Sequence, residues 1–243
     1  GIFAIEAPRP GAPVLRALPL TLAASFSGHF TCLALGASHS VYSLQFPPIS
    51  NLLEVKLVWS IIFASIAFGC AASLFITTLS LVQKGLQGGR LPRWSAPVLG
   101  GSFLLGFGSQ PGMEDYLGLG VHAARTGATT LSSAFHSGGA TDLSWLNKLL
   151  FTSVSLGSGF RGGEVTPLFF TGATLGNTIA SHFNLPLSLF AGLGFVCVFA
   201  GAAHTPLTGI AIAMELFGPM ALPFFAPACW IAHKACRKPG IYS

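Results

Sequence analysis

The chain has 243 residues, of which 51% are hydrophobic and 8% charged, and its mean hydropathy is +0.68. Soluble domains carry roughly 25% charged residues, so this composition excludes a soluble fold and makes lipid the main solvent. The net charge of +5 and a pI of about 9.2 come from few basic residues and require no nucleic-acid partner.

Charge-free stretches fall at 17–53, 57–83, 95–113, 165–214 and 216–233, each long enough for a span of about 20 residues. None alternates polar and apolar residues as a barrel strand would, so the reading is an all-α membrane protein, a multi-span bundle of broken and tilted helices. In chain order, helices are predicted near 18–36, 56–86, 94–107, 116–125 (a short one), 143–156, 166–182, 186–202, 206–217 and 220–235. Local punctuation places Asp142 or Ser144 as a cap of the 143–156 helix. It pairs Asn184 with Pro186 at a helix start and reads Thr205-Pro206 as an N-cap followed by proline at the first helical position. Small residues recur in Gly172-Ala-Thr-Leu-Gly176 and Ala191-Gly-Leu-Gly194, a pattern that lets helix backbones approach closely in lipid.

Lys84, Arg90 and Arg93, and then Lys234, Arg237 and Lys238, form basic clusters that the positive-inside tendency puts on the cytoplasmic side. Cys32, Cys70, Cys197, Cys229 and Cys236 lack metal-site spacing and read as apolar filler, and no His-Glu-x-x-His occurs. No metal site is expected from these residues. The opening has no apolar core behind a basic tip, so it reads as the middle of a longer protein rather than as a secretory leader.

The most informative stretch is Gly157-Ser-Gly-Phe-Arg-Gly-Gly-Glu-Val-Thr-Pro167-Leu-Phe-Phe, a glycine-rich turn with a carboxylate that runs into a charge-free helix. Such a turn aims backbone N–H groups at the start of a buried helix, which is how membrane proteins bind anions. Glycine lets the backbone approach a ligand, and Pro167 suits a first helical turn. For Glu164, the membrane interior disfavours the charge and the helix N–H groups favour it, which leaves the carboxyl able to take up and release a proton. The alternatives are that Glu164 only caps the helix or pairs with Arg161.

The same residues resemble the CLC family of chloride channels and transporters, whose Gly-Ser-Gly…Gly-Gly-x-Phe-x-Pro run places amides around an anion. Ile5-Glu6-Ala-Pro-Arg9-Pro10 resembles the family's Ile-Glu-Glu-x-Arg-Pro helix start. Ala203-His-Thr-Pro206-Leu-Thr-Gly-Ile…Met214-Glu215 resembles its Ala-Pro-Leu-Thr…Leu-Glu helix, and Gly240-Ile-Tyr242-Ser its anion-coordinating tyrosine motif. Chloride-handling members carry apolar residues at the positions of Glu164 and Thr166 and an aromatic at Val165; Gly-Gly-Glu-Val-Thr-Pro is similar to the fluoride-exporting branch. The internal proton-transfer glutamate of chloride/proton exchangers falls at Ala7, so that route is missing here.

The resemblance implies the fold of the second inverted repeat, with 1–55 ending the first repeat, 56–238 forming the second and 239–243 opening the last helix. It implies an anion site of Gly162, Gly163, Glu164, Val165, Thr166 and Tyr242, with Glu164 also transferring protons. Thr166 and Tyr242 would each give a hydroxyl donor to a small, hard anion. Phe169 and Phe170 are candidates to line a pathway, while Glu6 and Glu215 stabilise helix ends or pair locally.

The implied function is fluoride export coupled to proton uptake, with fluoride or chloride, protons and the lipid bilayer as partners, a homodimer as assembly and a bacterial plasma membrane as location. No cofactor is implied beyond a structural sodium ion, for which no ligands are assigned. The resemblance also implies an upstream repeat with the gating glutamate, so the sequence reads as an N-terminally truncated piece. Alternatives are a chloride/proton exchanger or chloride channel and a non-transporting dimerising fragment. A more distant one is an intramembrane serine protease built on Gly36-Ala-Ser38-His39 with His122, His136 or His204 as partner.

Overall fold

The computed structural model describes residues 1–7, 14–36, 42, 44, 46, 54–88, 92, 94–123 and 125–242. The helices in chain order are α1 Ile2–Glu6, α2 Val14–Ala34, α3 Val55–Gln87, α4 Ser95–Gly108, α5 Ser144–Gly157, α6 Val165–Phe183, α7 Leu187–Ala203, α8 Pro206–Phe217 and α9 Leu222–Ala235. Among the described residues α3 alone is long and apolar enough to cross a membrane. At 33 residues it extends about 50 Å, well beyond a hydrocarbon core of about 30 Å, so it must tilt or project. The shorter apolar helices are the broken pieces expected from the frequent Gly and Pro.

At the centre lies α7, buried continuously from Leu189 to Ala203, with α3, α6, α8 and α9 packed around it. An apolar helix without a polar face suits such a central position. Its closest partner is α6, and glycines explain the approach. A Cβ on Gly172 would collide with the Gly194 carbonyl, one on Gly194 with the Gly172 carbonyl, and one on Gly176 with the Phe190 carbonyl. The small-residue pattern therefore reports a real backbone contact. The α6–α7 link is tight because Asn184 takes a left-handed conformation at φ 50° and sends its N–H to the Ala180 carbonyl. Asn184 thus ends α6 instead of starting α7, and Pro186 holds the N-cap position.

Two expected details differ. The short helix near 116–125 is replaced by a 3₁₀ turn at Glu114–Tyr116 and irregular backbone, because Gly118 and Gly120 adopt φ of +59° and +73°. Neither Asp142 nor Ser144 caps α5. Instead, Ser144 Oγ accepts the Thr141 N–H and hydrogen-bonds the Tyr116 hydroxyl at 2.9 Å, which ties this irregular segment to α5. Of the basic residues, Arg90 and Arg93 lie outside the described residues, as do Pro8, Arg9 and Pro10 of the first motif, Ser38, His39 and Ser243.

Thr205 does occupy the N-cap of α8, but its buried hydroxyl caps nothing. The cap comes from α1: the Glu6 carboxylate accepts the Leu207 N–H at 2.8 Å, the Thr208 N–H at 2.6 Å and the Thr208 hydroxyl at 2.7 Å. A carboxylate is the strongest form of this interaction, since it also meets the positive end of the helix dipole. Outward faces stay apolar, with Phe26 and Phe30 of α2, Trp59 and Phe63 of α3, Leu207 of α8 and Trp230 of α9 exposed.

Candidate functional site

Antiparallel α5 and α6 are joined by the turn 158–164. The Ser158 hydroxyl closes α5 by donating to the Val154 carbonyl at 2.6 Å, and Gly159 reverses the chain at φ +95°. Past it, the N–H groups of Gly162, Gly163, Glu164, Val165 and Thr166 meet no protein acceptor among the described residues. The first amides of α6 are free by helix geometry, and those of the turn extend the row. The turn residues Gly162 and Gly163 are exposed, while Glu164, Val165 and Thr166 are half-buried. The turn is thus a cluster of donors accessible at the edge of the bundle.

Glu164 occupies the N-cap position of α6, yet its side chain makes no capping hydrogen bond, and no ion pair joins it to Arg161. Neither structural alternative for this carboxylate is realised. It instead lies within electrostatic reach of the Tyr242 hydroxyl, which arrives from the far end of the chain. The Ile241 N–H donates to the Ala202 carbonyl at 2.9 Å and fixes that segment against the end of α7. The Thr166 hydroxyl has no hydrogen-bond partner among the described residues. Of the six residues expected at the site, the turn supplies five in one run, and tertiary structure adds Tyr242.

Two cavities flank the turn. One of about 180 Å³ is lined by Gly162, Gly163 and Pro167 together with Leu104, Tyr116 and Gly118. The other, of about 340 Å³, lies on the Val165 side, against Phe3, Phe199, Thr208 and Glu215. Aromatic rings form a row away from Tyr242. Phe3 meets Tyr242 edge-on at 5.5 Å and Phe199 at 5.9 Å, and Phe169 contacts Phe199 at 5.2 Å and stacks on Phe195 at 4.2 Å. Phe169 belongs to this row. Phe170 points the other way, fully buried against Tyr116, so its role is packing rather than lining a path.

Sequence reasoning missed Lys148. It is fully buried on α5, donates to the Tyr116 carbonyl at 3.2 Å and the Gly118 carbonyl at 2.6 Å, and lies 5.1 Å from the centre of the Phe170 ring. Among the described residues no carboxylate pairs with it. This ammonium holds the loop that forms the wall opposite Gly162 and Gly163. The signal was there, since Lys148 is the single charge between 143 and 160. No three His, Cys, Asp or Glu side chains converge among the described residues.

The family model described as voltage gated chloride channel matches residues 1–237. The chain belongs to this family of ion channels and transporters. Among curated relatives, the chloride/fluoride channel protein of Pseudomonas syringae pv. tomato is 40% identical over 204 residues, covering 80% of this chain and 43% of that protein. The H(+)/Cl(-) exchange transporter ClcA of Salmonella typhi is 26% identical over 176 residues, covering 67% of this chain and 35% of that protein. Among solved structures, the crystal structure of a CLC-type fluoride/proton antiporter superposes with a TM-score of 0.86 at 30% identity, covering 99% of this chain and 58% of that one. The chain therefore spans about half the length of these relatives. The expected fold class and family both hold, and members of this family are integral membrane proteins, which agrees with the composition.

Proposed function

We propose that the protein of which this chain is part exchanges fluoride for protons across a membrane. The observation that carries the reading is the proximity of Glu164 to Tyr242 at the open N-terminus of α6. A carboxylate near a phenol, beside unpaired amides and an unpartnered hydroxyl, can alternate between accepting a proton and yielding the donors to an anion. In this reading Gly162, Gly163, Val165 and Thr166 offer amides, Thr166 and Tyr242 add hydroxyls, and Glu164 carries the proton. Fluoride suits such donors because it is small and strongly hydrated, and short O–H and N–H contacts must replace its water. The 40% identity to a chloride/fluoride channel protein and the likeness to a fluoride/proton antiporter support the choice.

Chloride/proton exchange is the second reading, supported by the 26% identity to the exchange transporter. On either reading residues 1–55 end one repeat, 56–238 form the next and 239–243 open the last helix. The exposed apolar faces of α2, α8 and α9 suit a homodimer, in a bacterial plasma membrane. A structural sodium ion would need ligands beyond the clustered side chains described, and the transport reading does not use one.

Proteoliposomes loaded with fluoride or chloride and read with ion electrodes and an internal pH dye test the proposal. Fluoride should leave with matching proton uptake, and Glu164→Gln should abolish the proton signal. Thr166→Ala should lower the preference for fluoride over chloride by roughly 10-fold or more, the loss of one hydrogen bond to a charged group. Equal movement of the two anions by the unmodified protein would exclude fluoride specificity, and fluoride efflux without proton uptake would exclude exchange.

A further inference from the structure

Behind the Tyr242 segment, two histidine rings face each other, each with one ring nitrogen that has no hydrogen-bond partner among the described residues. His204 follows α7 in a left-handed conformation at φ +58°, and His233 lies on α9; their rings meet edge to face at 4.9 Å. Among the described residues, His204 Nε2 and His233 Nδ1 are both buried and without a hydrogen-bond partner, as is the hydroxyl oxygen of the neighbouring Thr205. Buried polar atoms are nearly always satisfied, so three orphans in one place call for an explanation. Simple packing would be served better by apolar residues, since a buried polar nitrogen without a partner destabilises the fold.

The surroundings point to a proton. The charged and titratable groups that act on His233 are Glu6 on α1, Lys234 on α9 itself and His204 at the end of α7. Glu6 is already committed to three donors of α8, and on the α3 side Ser73 is engaged with Cys236 and the Arg237 N–H. One carboxylate therefore attracts charge to the pair, while Lys234 and the second ring oppose it. Two imidazoles in contact disfavour double protonation, so the pair holds at most one proton at a time. The pair is also joined to the site. Gly240, two residues before Tyr242, packs so closely on His204 that a Cβ there would lie 3.3 Å from the His204 Cβ. Phe3, one turn before Glu6 on α1, contacts Tyr242 edge-on at 5.5 Å.

We propose that His204 and His233 form a proton-relay pair between the Glu164–Tyr242 site and water. This deepens the exchange reading and rests on it. In the relay the Glu164 carboxyl gives up its proton, one imidazole nitrogen gains an N–H bond, and the imidazolium then releases that proton to water. The steps reverse for the opposite direction, and no electron or other group moves. Water must complete the path from imidazole to Tyr242, because no hydrogen bond between them is present among the described residues.

The test uses the protein reconstituted in liposomes, with fluoride efflux and proton uptake recorded together for the unmodified protein, His204→Gln, His233→Gln and the double variant. Gln keeps size and polarity but carries no proton near neutral pH. The double variant should lose at least tenfold in protons moved per fluoride while fluoride binding, measured by calorimetry on the same preparation, stays within twofold; that binding shows the variants fold. Positioned general acids and bases contribute roughly 10²–10⁴-fold, so a tenfold loss is a conservative expectation. An unchanged proton-to-fluoride ratio in the double variant overturns the relay but leaves exchange standing. Absence of proton uptake by the unmodified protein overturns exchange, and the relay with it. If a glutamine variant loses fluoride binding, His204→Asn and His233→Asn are measured in its place, and loss of binding in every variant makes the pair structural and overturns the relay.

Discussion

Replacing Glu6 by alanine removes an interaction whose size follows from the structure. Its carboxylate accepts three hydrogen bonds of 2.6–2.8 Å, two from the first amides of α8 and one from the Thr208 hydroxyl. An N-cap is worth about 0.5–2 kcal/mol and hydrogen bonds to a charged group about 1.5–3 kcal/mol each, but these overlap, and the exposed Leu207 amide can turn to water. The buried Thr208 cannot. A net loss of about 2–4 kcal/mol follows, carried mainly by the two Thr208 contacts. For a chain of this size 1 kcal/mol shifts Tm by about 2–4 °C, so Glu6→Ala should melt roughly 5–15 °C lower. The assay is thermal unfolding of detergent-purified protein followed by tryptophan fluorescence. Glu6→Gln keeps one acceptor oxygen without the charge and should fall between the two. A shift under about 2 °C for Glu6→Ala would refute the cap as a structural tie between α1 and α8.

Gly194→Ala should destabilise by about 1–3 kcal/mol, since the new methyl meets the Gly172 carbonyl and the Phe68 ring, and backbone cannot yield as a side chain does; the same melting assay checks it, and an unchanged Tm would show that α6 and α7 can separate freely. Lys148→Met leaves the Tyr116 and Gly118 carbonyls without their donor at similar buried volume. Because this frees the loop across the cavity from Gly162, we expect a loss of about 2–4 kcal/mol together with faster hydrogen exchange confined to residues 116–120. Uniform loss of protection across the bundle would contradict that local role.

The sequence exposed whatever depends on neighbouring residues. Gly157 to Pro167 carries its turn chemistry in one run, and the boundaries of α6, α7 and α8 follow from Pro, Asn and glycine positions. The short helix near 116–125 went astray because apolar content outweighed Gly118 and Gly120, whose left-handed backbone ends any helix there. Thr205 was read as the cap by local rule, while the real acceptor, Glu6, lies about 200 residues away, beyond any local pattern. Tyr242 was placed at the site by family likeness alone; spacing says nothing about it. Lys148 and the His204–His233 pair gave only single-letter signals, and their meaning depends on burial and on partners from other helices.

The α6–α7 hairpin has its own consequence for how the molecule is made. Its link is short, and its packing depends on glycines of the two helices themselves, so it can close as soon as both have left the ribosome, at the low entropic cost of a local loop. The anion turn is then presented at one end of a finished unit. Tyr242, by contrast, is synthesised only after α8 and α9. During biosynthesis Glu164 therefore waits in place without the Tyr242 phenol, which reaches the site only after α8 and α9 have been made.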